Sequence, residues 1–360
     1  MNFISLRPTH IFLLITALLC GCGQEHPQAD GVPPELSWQL QETTLKTGSR
    51  GISTPDDNTI WVGSQRGQYA LSTNGGGSWA VRTVEGADSL DFRDVAAFSA
   101  QNAFLMSAGP GERSRIYKTV DGGSTWTLQY RESDPNGFLN AIAFWSPESA
   151  LAVGDPIGGR LFLLRTADGG ANWTPLPREN CPEMAEGEYG FAASGTNLAV
   201  GKKGRAWIAT GGTVARVLRS SDYGQTWMSA EVPLQQGAPA KGIFSLFVDE
   251  DARMWAVGGD YQTPQDTSAT LAFSENGGVS WQRLSGAGMG YRSCIVRTRL
   301  GGKSWWIAAG SEGSSASRDG RRTWFPLQGP GFHTLSVGPG GTVWAAGADG
   351  RIGRLVALIP

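Results

Sequence analysis

Short runs in which apolar and polar side chains alternate recur along the chain: RDVAAFS from Arg93, LNAIAFW from Leu139, GIFSLFV from Gly242 and FHTLSVG from Phe332. Successive side chains of a β-strand point to opposite faces, so a period of two predicts half-buried strands. These inner runs precede a second set that tends toward Trp-x-x-Gly and holds in turn Trp61, Phe104, Leu151, Trp207, Trp255, Trp306 and Trp344. A third run leads into a polar, glycine-bearing octet, and a fourth starts at the tryptophan that ends the octet. Four antiparallel strands per unit, joined by tight turns, make the blade of a β-propeller.

Six octets fit one template of Ser/Thr, any residue, Asp/Asn, any, Gly, any, Ser/Thr/Asn, Trp: STNGGGSW ending at Trp79, TVDGGSTW at Trp126, TADGGANW at Trp173, SSDYGQTW at Trp227, SENGGVSW at Trp281 and SRDGRRTW at Trp324. The last has Arg321 where the others have glycine. Their tryptophans are 47, 47, 54, 54 and 43 residues apart, the period of a repeated supersecondary unit. Each element has a local reason. Asn74, Asp121, Asp168, Asp222, Asn276 and Asp319 are expected to accept bonds from backbone N–H groups inside the turn, glycine permits positive φ, and tryptophan packs inward as the next strand begins. A seventh unit has strands at FHTLSVG, TVWAAG and RIGRLV but no fourth before Pro360. The missing strand is predicted at the other end, where Trp38-Gln39-Leu40-Gln41 matches Trp126-Thr127-Leu128-Gln129 yet follows no octet. Closure of this kind removes both sheet edges. The expectation is all-β: one seven-bladed propeller over residues 36–360.

The octets resemble Asp-box, or BNR, repeats. The domain as a whole resembles the photosystem II assembly and stability factor family, and GDPIGGRLFLLRTADGG, GIFSLF, GYRS and GFHTLS are similar to an uncharacterised bacterial branch of it. That resemblance implies a non-catalytic factor that holds a protein partner in the cell envelope, a membrane protein among the candidates, and needs no cofactor. Sialidases share the repeats and supply the alternative, a glycoside hydrolase in which three arginines converge on a carboxylate. Arg50, Arg93 and Arg292 all fall near inner-strand starts, but the Arg-Ile-Pro segment of sialidases is absent before the first octet. Hydrolysis would also need two acids about 5–10 Å apart, for which Asp155, Glu188 and Asp260 are the candidates.

Ahead of the repeats, Arg7, the run from Ile11 to Leu19 and Cys20-Gly21-Cys22-Gly23 follow the basic, apolar, small order of an export signal. The apolar run is far short of the roughly 20 residues that span a bilayer. Leu19-Cys20-Gly21-Cys22 resembles the bacterial lipobox, which makes Cys22 the lipidated residue because small Gly21 precedes it. The expected domains are a signal peptide over 1–21, an acylated, proline-rich tether over 22–35 and the propeller, placed outside the cytoplasm and membrane-bound through lipid alone.

Composition narrows the chemistry. With 30 basic and 32 acidic residues the chain has no basic excess to neutralise phosphates, which argues against nucleic-acid binding. Loss of the signal removes only Arg7 and leaves 29 basic residues. After it, Cys181 and Cys294 remain, far apart and without metal spacing, so no metal site is expected; the exported location permits a disulfide between them without implying one. His333 is the single histidine of the folded part. There is no G-x-G-x-x-G and no EF-hand loop.

In this topology the octet turns lie on one face. The loops that join fourth to first and second to third strands crowd the other, around the channel mouth, where several blades converge. Binding candidates there are Arg93, Arg160, Arg216, Tyr261, Arg292 and His333, with Asp155 and Asp260 each placed after the glycine end of a second strand. Arginine, carboxylate and tyrosine together suit an anionic ligand, a sugar or a peptide tail. The expected state is a monomer.

Overall fold

The computed structural model describes residues 36–357 together with Met1; the signal segment, Cys22 and the tether lie outside the described residues. Seven antiparallel sheets succeed one another along the chain, with inner strands Ser49–Ser53, Phe92–Ala97, Leu139–Ser146, Leu198–Gly201, Lys241–Val248, Cys294–Leu300 and Thr334–Val337. Six sheets have four strands, and the fifth gains two short ones. The seventh is built from both ends of the chain: Leu36–Leu40 pairs antiparallel with Ile352–Ala357, Trp38 opposite Leu355. Trp38 also reaches sideways, packing on Phe332 at 4.7 Å and donating its Nε1–H to Ser314 Oγ of blade six at 2.7 Å.

Five of the six octet turns share one hydrogen-bond pattern, and the sixth varies it. In the second, Thr119 Oγ1 accepts from the Gly123 amide at 2.9 Å and donates to Asp121 Oδ1 at 2.8 Å, while Asp121 Oδ1 accepts from the Thr125 amide at 2.9 Å. In the sixth, Arg321 is accommodated by a shift of one residue. Gly320 N–H donates to Ser317 Oγ, Asp319 accepts from the Arg321 amide, and the Arg321 guanidinium lies over the Phe273 ring of blade five and pairs with Glu275 at 3.3 Å. The octet tryptophans wedge against the preceding blade: Trp126 meets Trp61 edge-on at 5.9 Å, and Trp79 meets Trp344 likewise. Returning the contact, Trp61, Trp207 and Trp255 donate their indole N–H to carbonyls of the following blade at Ser99, Gly277 and Gly320. These contacts tie neighbouring blades pairwise around the ring.

Gly123 is required twice over. Its φ is +79°, and a Cβ there would overlap the Tyr69 hydroxyl, which donates to the Gly123 carbonyl. Gly123→Ala should therefore cost about 2–4 kcal/mol, summing left-handed backbone strain with overpacking. Thermal or urea unfolding of the variant measures this, and an unchanged midpoint would refute it.

Two departures from regular blades shape the channel mouth. First, the pairing of inner and second strands slips at Arg50, Arg93, Asn140 and Phe244 in blades one, two, three and five. A bulge of this kind inserts a residue that the partner strand does not match and re-aims its side chain. Second, residues 176–197 form a long excursion between blades three and four. Glu188–Tyr189 pairs with Gly211–Gly212, which pairs in turn with the start of Lys241–Val248. The chain then crosses the channel as a strap. Ala192 O accepts from Arg93 of blade two, Ser194 Oγ donates to Ser293 O of blade six, and Thr334 Oγ1 of blade seven donates to Ser194 O. Thr196 Oγ1 bonds Ser245 Oγ of blade five at 2.7 Å. Glycine at 195 keeps the strap down against blade two, since a Cβ there would overlap the Asp94 carboxyl. Buried Asp94 accepts from the Val95 and Ile142 amides, and burial raises it to about 7.

Candidate functional site

Above the strap lies a cavity of about 440 Å³, lined from six of the seven blades and from the excursion that precedes blade four. All four bulge residues, Arg50, Arg93, Asn140 and Phe244, are in its wall. Going round the ring, blades seven, one and two give His333, Arg50 and Arg93; blade three gives Phe138, Asn140 and Asp155; the excursion gives Tyr189 through Ala193; blades five and six give Phe244, Tyr261, Tyr291 and Ser311. The octet turns join third to fourth strands and so lie on the opposite face, as the antiparallel order requires.

The cationic arc is incompletely paired. Arg93 donates from Nε to Asp91 at 2.8 Å, but Arg50 has no ion pair or side-chain hydrogen bond among the described residues. Burial, and after it the Arg93 charge, lowers the Arg50 pKa, the sign of a guanidinium that would gain from an anion. His333 adds no charge at neutral pH. Burial, then Arg50, Arg351 and Arg93, pushes it down to about 4.

Asp155 is the one carboxylate among the described lining residues. Its Oδ1 accepts from Asn140 Nδ2 at 2.8 Å and the Gly190 amide at 3.3 Å, and burial outweighs those bonds to raise it to about 6. The folded state therefore keeps a proton that the unfolded chain releases at lower pH. The stability this acid allows is highest below about pH 4, falls as pH rises toward 6, and stays low above. Asparagine can accept the same two bonds without the charge. Asp155→Asn should match the wild type near pH 4 and melt higher at pH 8; equal melting at pH 8 would contradict the assignment.

The remaining sequence candidates do not converge here. The Glu188 side chain is fully buried in an ion pair with Arg216, whose Nε donates at 2.9 Å, and it also accepts from Thr210 and the Ala185 amide. This pair clamps the base of the excursion. Asp260 is buried and accepts from the Gln262 amide at 2.8 Å, an Asx-turn that caps its loop. Arg160 pairs with Glu183 and donates to Cys181 O. Arg292 is buried outside the cavity, bonded to Tyr291 O and Ser315 Oγ, and burial lowers it to about 10. The three-arginine cluster therefore has two members in the cavity, and the paired acids have one. Cys181 and Cys294 are both free and buried.

What sequence reading did not single out is the aromatic side of the wall, Phe191, Phe244 and Tyr291. A signal was available in GIFSLF and GYRS, where a ring falls near the start of an inner strand.

No protein-family model and no curated protein matches the sequence. Solved structures do. The chain is similar to a structure described as YCF48 bound to D1 peptide, with a TM-score of 0.63 at 19% identity over 91% of this chain and 96% of that one. It is similar to YCF48 from Cyanidioschyzon merolae at a TM-score of 0.63 and 16% identity, over 88% and 98%. It is also similar to a streptogramin B lyase, at 0.59 and 17%, over 89% and 97%. The likeness at these identities is one of fold: a seven-bladed propeller of the YCF48 kind.

Proposed function

We propose that the chain is a non-catalytic assembly or stability factor that holds a carboxylate-bearing segment of a partner protein in the cup at the channel mouth. The observation that carries this reading is Arg50, half-buried beside Arg93, near Asp91 but in no ion pair among the described residues. Desolvated guanidinium groups bind carboxylates strongly and with defined geometry. A propeller of like fold has been solved with a peptide bound, which is consistent with the reading. Export and acylation at Cys22 would hold this monomer on a membrane surface in the envelope, where a membrane-protein partner is within reach. Crosslinking in intact envelopes tests the function: a partner should be captured by the wild type and lost when Arg50 and Arg93 are both replaced by alanine. Capture that survives the double replacement would overturn it. Cys22→Ser should release the protein from the membrane fraction, and continued retention with Cys20 also replaced would refute the anchor.

The enzymatic alternative keeps a single group in place. Asp155, raised to about 6, has the protonation range of a general base. A paired-acid glycosidase needs a second carboxylate in the cavity, and Glu188 and Asp260 are committed elsewhere.

A further inference from the structure

The octet face, opposite the cup, carries a charge pattern of its own. At that end of blade six, Arg297 and Arg299 lie at the end of the inner strand, Lys303 opens the second, and Arg318 and Arg322 belong to the octet. None of the five has an ion pair among the described residues. Arg299, Lys303, Arg318 and Arg322 are exposed. Aromatic rings fix two of the five: the Arg297 guanidinium lies 4.8 Å over Trp306 and that of Arg318 4.5 Å over Trp305. Acids on neighbouring turns are engaged elsewhere. Asp319 accepts from amides of its own turn, Glu275 pairs with Arg321, and Asp57 accepts from the Gly340 amide. Blade five bounds the patch with Asp249, Glu250 and Asp251, two of which pair with Arg253. On the other side a groove of about 640 Å³ runs from Arg297 and Arg299 to the glycine-rich turn 338–341 of blade seven. In a mature chain with 29 basic and 32 acidic residues, this blade end is a local reversal of charge.

The chain enters the propeller beside this patch. Leu36 pairs with Ala357 at the octet end of blade seven, since an outer strand starts where the octet turns lie. Leu36 and Trp38 share a core cluster with Trp305 and Leu327 of blade six, and Arg318 covers that same Trp305. Fourteen peptide links separate Cys22 from Leu36, a reach of at most about 50 Å. An acyl group on Cys22 would therefore keep this end of blade six close to a bilayer surface. There, each lysine or arginine near an anionic leaflet contributes about five-fold in affinity.

We infer that the octet end of blade six is a membrane-docking surface, on which Arg297, Arg299, Lys303, Arg318 and Arg322 meet the phosphate groups of an anionic lipid leaflet. A leaflet, rather than an acidic protein, is the occupant because the acylated end of the chain emerges at the patch and delivers that surface to it. This goes beyond the binding reading and shares with it only the anchor at Cys22. Docking there points the cup away from the bilayer, toward segments of a partner that project from the membrane.

The test uses the mature chain from residue 22 with Cys22→Ser, which carries no lipid and so separates the patch from the anchor. It should cosediment with vesicles of equal parts phosphatidylglycerol and phosphatidylcholine but not with phosphatidylcholine alone, and added salt should weaken the binding. Arg299→Gln, Lys303→Gln and Arg322→Gln together should lower it roughly 100-fold. All three side chains are exposed and outside the ring stacks, so thermal melting should not change. Arg66→Gln, Arg82→Gln and Arg283→Gln, at exposed positions on other elements, change the net charge equally and should leave vesicle binding nearly intact. Equal loss in the two triple variants would overturn the inference by showing a general charge effect, as would no binding to anionic vesicles. A patch variant that keeps vesicle binding but loses crosslinking to an envelope protein would also overturn it, assigning the patch to a protein partner. Membrane retention of the acylated protein reports on Cys22 alone, so the anchor stands or falls separately.

Discussion

Arg50→Ala is expected to weaken binding of a carboxylate-bearing peptide roughly 30- to 150-fold, the equivalent of about 2–3 kcal/mol for one desolvated charge partner. The same change should leave folding stability unaltered or slightly higher. Ordinarily an arginine removed from a protein interior takes ion pairs with it, but Arg50 has none among the described residues, and burial together with the Arg93 charge outweighs the attraction of nearby Asp91. Stability and binding thus move independently, which separates a ligand-facing group from a structural one. Arg93 should behave differently. Its bond to Asp91 and its contact with the strap at Ala192 give it a structural share, so Arg93→Ala should lose both binding and some thermal stability. Arg50→Lys keeps the charge and loses the planar fork, so it should recover only part of the affinity. Fluorescence anisotropy at two salt concentrations, beside thermal melts, provides the measurement. Wild-type affinity in Arg50→Ala would remove the cup from the binding function.

Much of the scaffold was legible because its signals are local and repeated. Alternation marks four of the inner strands, the Ser/Thr–Asp/Asn pair bonds within its own turn, and the tryptophans recur at blade spacing, so seven blades can be counted without tertiary information. Even the closing strand declares itself through Trp38. The cup is harder, since its wall is drawn from residues nearly three hundred positions apart, Arg50 to His333, and their orientation depends on bulges. A bulge changes which face a residue joins without changing its type, so Arg93 and Arg292 look alike in sequence although one enters the cavity and the other is buried against Ser315. Glu188 misled for a related reason. Its loop position reads as exposed, and only the fold brings Arg216 and Thr210 to it. The aromatic wall was obscured by abundance. Among 14 tryptophans and 14 phenylalanines, nothing in composition distinguishes the few that face the cup.

Deleting Leu36–Leu40 should have the largest effect on the fold itself. Blade seven is the one sheet assembled from both ends of the described residues, and its outer strand is covalently continuous with blade one, so it closes the ring by strand pairing in addition to the contacts between blades one and seven. Without it, Ile352–Ala357 becomes an unpaired edge, the kind that recruits strands from neighbouring molecules. Trp38 concentrates the loss, because its ring covers Phe332 and its indole N–H is bonded to Ser314 of the adjoining blade. Trp38→Ala alone should cost about 3–5 kcal/mol, lowering Tm by roughly 6–10 °C at about 2 °C per kcal/mol for a domain of this size. The deletion should go further, replacing one cooperative transition by a broad one and a monodisperse species by aggregates. Light scattering and calorimetry follow both. The cause can be isolated by adding a synthetic peptide of residues 35–42 in trans: if closure is what was lost, strand addition should restore a sharper transition, and a deletion variant that melts like the wild type would show that the blade interfaces alone keep the ring closed.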